Sequence, residues 1–183
     1  MDWFLTFERA RSVYEELMKN KIWTNPAAQG QLGKVVKAKP AAGPTLPFGD
    51  LSRATPAVDE QWVNAKSVQN GLNWDAMAGA LGAFEFLGAF EFKVAIVGKM
   101  QLQGTSDLTM TVDEVGVYVK DSFDFEGDQF LGFWGYRDTP CNNSDFREWR
   151  MANHAGGDFL VFSDIKRTKI SPPDVVKVKL WVG

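Results

Sequence analysis

Residues Leu108 to Trp134 read LTMTVDEVGVYVKDSFDFEGDQFLGFW, and the fold turns on the parity of their apolar positions. Leu108, Met110 and Val112 alternate with Thr109 and Thr111, the period-two pattern of a half-buried strand. Beyond Asp113 the alternation continues on the opposite parity, at Val115, Val117 and Val119. A strand cannot change phase without an extra residue, so the flip predicts a bulge or turn near Asp113–Glu114. Past Lys120 the chain enters an acidic corner holding Asp121, Asp124, Glu126 and Asp128. It leaves through an aromatic run from Phe130 to Trp134.

Upstream, LGAFEF occurs twice in succession, at Leu81–Phe86 and Leu87–Phe92. A six-residue repeat preserves period two, so Phe84, Phe86, Phe90, Phe92, Val94, Ile96, Met100 and Leu102 all share one face. Glu91, Lys93, Lys99 and Gln101 take the other, which predicts a long half-buried strand, kinked at Gly88 if it is two. The segment Gly104–Asp107 suits a hairpin turn into Leu108. At the far end, Val176, Val178, Leu180 and Val182 alternate with Lys177 and Lys179 as a half-exposed last strand. The run Asp158–Asp164, apolar on both faces, predicts a central strand.

Helical signals flank this β-rich centre. From Asp2 to Asn20, residues Trp3, Phe7, Ala10, Tyr14 and Leu17 recur at steps of four and three and form one apolar stripe. The helix opens almost at residue 1, which predicts that the natural chain extends further toward the N-terminus. Lys39–Pro56 carries Pro40, Pro44, Pro47 and Pro56 and reads as a connector without regular structure. Trp74–Ala80 is a short helical piece, and Pro140–Asp145 a loop. Ser144 or Asp145 caps a helix from Phe146 to Asn153, with Glu148 completing a capping box and Gly156–Gly157 as the stop.

These elements predict an α+β fold: a curved antiparallel sheet or partial β-barrel of about five to seven strands. An N-terminal helix and a short helix in the C-terminal half pack on it. A chain of 183 residues with 45% apolar content is long enough to bury such a core as one domain, 1–183, with the connector at 39–56. The net charge of -3, without a basic block, argues against nucleic acid as partner. The sequence holds no 18-residue apolar run to cross a membrane as a helix and no secretory signal, so synthesis in the cytoplasm is expected. With a single Cys and a single His, a Cys/His zinc cluster cannot be built.

Two constellations could carry chemistry. Asp121 and Asp124 are three apart, and a turn can bring their carboxylates together to share a proton, activate water or hold Mg²⁺. The plainer reading is a solvated turn that uses Asp for its backbone preferences. On the following helix, Arg147 and Arg150 are three apart and His154 lies four beyond. Two guanidinium groups suit a phosphate or diphosphate, and His is the natural proton shuttle near neutrality. Asp158 closes the same locale. The alternative makes the Arg pair a structural tie to the acidic corner and His154 a helix-end cap. Cys141 with His154 as nucleophile and base lacks any flanking motif.

The runs EVGVYVKDSFDFEGDQFLGFW (Glu114–Trp134), DFREWR (Asp145–Arg150) and GGDFLVFSDIKR (Gly156–Arg167), with DWFLTFERARSVYEELM and WDAMAGALGAF, resemble a domain-of-unknown-function family of Gram-negative bacteria. Members of that family lie near type VI secretion and polymorphic-toxin genes. The resemblance implies a role in contact-dependent competition between bacteria, as a delivered antibacterial effector. Its partners would be the secretion apparatus or an immunity protein, and its destination the periplasm of a target cell. Asp121-Ser122-Phe123-Asp124 is also similar to the D-x-Y-D motif of colicin M-like bacteriocins, with Phe123 in place of Tyr. That similarity implies a hydrolase acting on a phosphodiester or diphosphate bond of a lipid-linked cell-wall precursor. Taken with the two constellations above, Asp121, Asp124 and His154 are the expected catalytic residues, and Arg147, Arg150 and Asp158 the expected substrate-binding ones. The rival from another class is a non-catalytic binding module: an immunity, adaptor or chaperone protein of such a system.

Overall fold

The computed structural model describes residues 1–37, 45–68, 90–103, 107–123, 130–134, 139–157 and 159–179. They form two compact units, Met1–Lys120 with Phe162–Gly183, and Asp121–Val161.

The larger unit is built on a long antiparallel hairpin, β3 (Phe90–Gln103) and β4 (Asp107–Phe123). Gln103 pairs with Asp107 and Glu91 with Lys120. Period two then sends Phe90, Phe92, Val94 and Ile96 into the core from β3, and Leu108, Met110 and Val112 from β4. The expected phase change occurs at the expected place. On β3, Val97 pairs with Glu114 and Gly98 with Val112, so Asp113 stands unopposed. The same residue is skipped against β8 (Lys166–Lys179), where Val112 faces Asp174 and Glu114 faces Lys169. One extra residue thereby keeps Val115, Val117 and Val119 on the buried face. Gly98 sits at this crowded point, where an added Cβ would collide with the Thr111 carbonyl.

β1 (Leu46–Phe48) and β2 (Asn64–Val68) both pair with β3, and β8 pairs with β4. The sheet curls into a half-barrel, so the α+β expectation holds. β1 corrects the reading of 39–56 as a connector without structure. Leu46, Pro47 and Phe48 pair with Met100, Lys99 and Gly98. A proline is tolerated here because β1 is short and ends the path β1-β3-β4-β7, where a missing N–H disrupts no further ladder. Pro56 likewise sits in the first turn of α3 (Thr55–Asp59), where its absent N–H has no partner to lose. β7 (Phe159–Phe162) corrects the expected central strand: it lies at the end of that path, and Leu160 is exposed. The Trp74–Ala80 piece, the first LGAFEF copy and the 104–106 turn lie outside the described residues.

Two helices cover the inner face. α1 (Glu8–Lys19) buries Ala10 and Leu17 of the expected stripe, and the Tyr14 ring meets Phe92 edge-on at 6.3 Å. The helix does not start at Asp2. Phe4–Thr6 is a 3-10 turn, Phe7 is extended, and Trp3 is left exposed. α2 (Pro26–Lys37) had no sequence expectation. Its signals are an Asn25–Pro26 start and Ala28, Leu32 and Val36 at steps of four, all buried. Asn25 Oδ1 accepts the Ala28 N–H at 2.9 Å, which satisfies an orphan donor of the first turn. Buried Asn64 donates to the Ile22 carbonyl at 2.6 Å and to Asn25 Oδ1 at 3.0 Å, tying β2 to this start. Asp174 of β8 receives Lys21 Nζ at 2.6 Å and Trp23 Nε1 at 3.1 Å.

On the outer face α3 makes a second, smaller core. Leu51, Val58, Ala95 and Tyr118 are buried together. Gly116 leaves the space that Leu51 and Ile165 occupy. The Tyr118 hydroxyl donates to Asp59 Oδ1 at 2.7 Å, and Lys120 Nζ reaches Asp59 Oδ2 at 2.5 Å.

The smaller unit holds a two-stranded antiparallel ribbon and a helix. β5 (Phe130–Trp134) pairs with β6 (Thr139–Asn142), Trp134 against Thr139 and Phe130 against Asn142. The expected loop at Pro140–Asp145 is thus strand as far as Asn142, then helix. α4 (Asn143–Asn153) begins earlier than its sequence suggests. Asn142 is the N-cap. Its side chain accepts the Asp145 N–H at 2.9 Å, and the Asp145 carboxylate accepts the Asn142 N–H at 2.9 Å. Asp145 is therefore the third residue of the capping box rather than its first.

Candidate functional site

Asp121, Arg147, Arg150 and His154 all lie in the unit Asp121–Val161. Asp121 is a partly buried residue near the end of β4. Arg147 and Arg150 sit about one turn apart on α4; both are partly buried, and each is engaged rather than free. His154 is exposed at the helix C-cap with φ 51°, in the left-handed region. It, not the Gly156–Gly157 pair, makes the first left-handed turn that ends α4. Gly156 follows at φ 80°, where an added Cβ would press on Phe146 and Arg150, so the exit chain folds back over the helix. Asp124 and Asp158 lie outside the described residues.

The helix arranges three groups with affinity for an anion, two guanidinium groups and an imidazole, in the order the sequence implies. The thiol nearby is poorly suited to attack. Burial, and secondarily the Asp145 carboxylate, push the Cys141 thiol above its ordinary value, which lowers its thiolate fraction. Among the described residues no cluster of three His, Cys, Asp or Glu side chains is grouped to hold a metal ion. No described helix is long and apolar enough to cross a membrane.

A second feature of the unit has no counterpart in the sequence expectations. Phe133 is 65% exposed, Trp149 50%, Met151 77% and Leu160 56%. These are four of the six large apolar side chains left open among the described residues, and all belong to the smaller unit. Asn143, a polar residue at the start of α4, is buried. Partly buried Phe146 stacks on exposed Trp149 with ring centroids 5.8 Å apart. The helix pattern in the sequence suggests Phe146 and Trp149 as anchors to the core; Phe146 is partly buried, but the exposure of Trp149 corrects that expectation.

The family model of DUF6402, a family of unknown function, matches residues 1–141 and 136–178. The chain belongs to the DUF6402 family. The match runs through both units, so the expected membership in a domain family of unknown function is met. No curated protein and no solved structure matches the chain.

Proposed function

We propose that this DUF6402 chain is a protein-binding module of an interbacterial delivery system of the type VI kind, an immunity, adaptor or chaperone protein that docks through Asp121–Val161. The observation that carries the reading is the exposed apolar set Phe133, Trp149, Met151 and Leu160 in the unit Asp121–Val161. Large exposed apolar side chains mark interaction sites, and Trp, Phe and Met are the types that interfaces concentrate. Co-expression with a toxin encoded beside it tests the proposal. A binding module restores host growth, and the Trp149→Ser/Met151→Ser variant fails to. Growth arrest by the chain alone contradicts it.

A second reading is favoured by the order of Arg147, Arg150 and His154 along α4 and its exit. In it the chain is an antibacterial effector, exported to the periplasm of a target cell. It hydrolyses a phosphate-containing envelope precursor, with the two Arg neutralising a diphosphate and His154 moving a proton. Asp121 and Asp124 activate water or hold Mg²⁺, and Asp158 helps to bind substrate. Periplasmic against cytoplasmic expression in a sensitive host, with growth recorded, separates the readings. Here Asp124→Ala and His154→Asn abolish toxicity in folded protein, the Asn chosen because it tolerates the left-handed backbone at 154. Toxic, folded variants sink the catalytic version.

A further inference from the structure

We propose that the free edge of β8, over Val175–Lys179, takes up an extended acidic segment of another protein as an added strand. This edge belongs to the larger unit and stands independent of the docking surface above. Among the described residues β8 has one strand neighbour, β4, and no strand pairs with its other side. An open strand edge is a template for main-chain hydrogen bonds to an extended peptide.

The side chains along the edge select the segment. Val175, Lys177 and Lys179 are exposed, in register with Thr111, Thr109 and Asp107 of β4, and Lys99 stands on the same face beyond Thr111. At the other end of the hairpin, beyond the bulge, Lys93 pairs with Glu91, Lys120 with Asp59 and Arg167 with Glu114. Lys99, Lys177 and Lys179 make no ion pair among the described residues, although Asp107 lies across from Lys179. Side chains two apart on a strand share a face at about 6.8 Å. Two carboxylates separated by one residue therefore match Lys177 and Lys179, with an apolar residue opposite Val175, and such cross-strand pairs favour the addition. The residues between them turn to the inner face. There a groove of about 440 Å³ lies between Gly30, Gly33 and Lys34 of α2 and Val178 and Lys179 of β8. An added Cβ at Gly30 would meet nothing within 4 Å, so the groove admits small side chains. A second copy of the edge is a poorer occupant, because it would crowd the lysines of both.

The probe is a blocked peptide of the order Glu-Thr-Glu-Thr-Val, which suits antiparallel addition, titrated with the full chain by fluorescence anisotropy at low salt. It should bind saturably and weaken as salt is raised. Lys177→Glu/Lys179→Glu should bind it at least about tenfold more weakly and take up Lys-Thr-Lys-Thr-Val instead. Lys177→Gln/Lys179→Gln, which only removes charge, should lose less, and thermal unfolding checks that both variants are folded. Alternate residues of a strand turn their N–H groups to opposite sides. Methylating the two Glu nitrogens in one peptide and the two Thr nitrogens in another should therefore abolish binding of one and spare the other. Equal binding by the two methylated peptides leaves only surface charge and overturns strand addition. No saturable binding, or undiminished binding by Lys177→Glu/Lys179→Glu, overturns it as well. Trp149→Ser/Met151→Ser should bind the peptide as the parent does; a loss there moves the site to the smaller unit and also overturns the proposal.

Discussion

Tyr118 shows at the scale of one residue what alternation can and cannot give. Its neighbours Val117 and Val119 alternate inward as read, and by the same parity Tyr118 should face solvent. It is fully buried, because α3 lies over the outer face at this end of β4 and brings Asp59 to the phenol. The missing information was tertiary: α3 follows directly on a Pro-rich stretch that sequence reading left without structure. Burial first, and the Asp59 hydrogen bond second, push the Tyr118 hydroxyl well above the ordinary tyrosine value. The sign follows. Above about pH 10 the unfolded chain releases this proton while the folded chain keeps it, so the folded state binds more protons and stability falls as pH rises. Urea unfolding of the parent should lose up to about 1.4 kcal/mol per pH unit from this group above about pH 10. Tyr118→Phe should cost about 1–2 kcal/mol at neutral pH and lack that part of the alkaline slope. An identical slope in the variant would remove Tyr118 from the account.

At the scale of elements, the clearest case is the bulge at Asp113. It was legible because a phase change in an apolar alternation has one mechanical cause, and β3 and β8 both skip the same residue. Deleting Asp113 should turn Val115, Val117 and Val119 outward and prevent folding, whereas Asp113→Ala should change stability by no more than about 0.5 kcal/mol. Circular dichroism and solubility distinguish the two. Gly98→Ala, beside the bulge, should cost about 1–3 kcal/mol, since the Thr111 carbonyl must move to admit a methyl group. Helix ends were read less well. α4 starts where a strand ends, and its cap is Asn142, which looked like a loop residue from sequence. Asn142→Ala should cost about 1 kcal/mol and speed hydrogen exchange in the first turn of α4, without reaching the larger unit. α2 was not read, although its Asn-Pro start and four-residue apolar spacing were present. Its second anchor, buried Asn64, comes from a strand about forty residues away, and no local window contains it.

At the scale of the whole molecule, apolar alternation specified the central hairpin because inward residues of β3 and β4 face one another across it, Phe92 with Val119, Val94 with Val117, Ile96 with Val115 and Met100 with Met110, all buried. A candidate site carries no such redundancy. Arg147, Arg150 and His154 fall along α4 in the expected order, yet sequence spacing does not say which side chains the fold leaves open. It is that openness, at Phe133, Trp149, Met151 and Leu160, which shifts the functional reading from catalysis toward docking. The most direct measurement is thermal unfolding of Trp149→Ser/Met151→Ser against the parent chain. Side chains held for a partner contribute little to the chain's own stability, so the midpoint should move by no more than about 2 °C. A fall of more than about 8 °C, the size expected for side chains removed from a core, would contradict the claim that this unit keeps its apolar groups for something outside the chain.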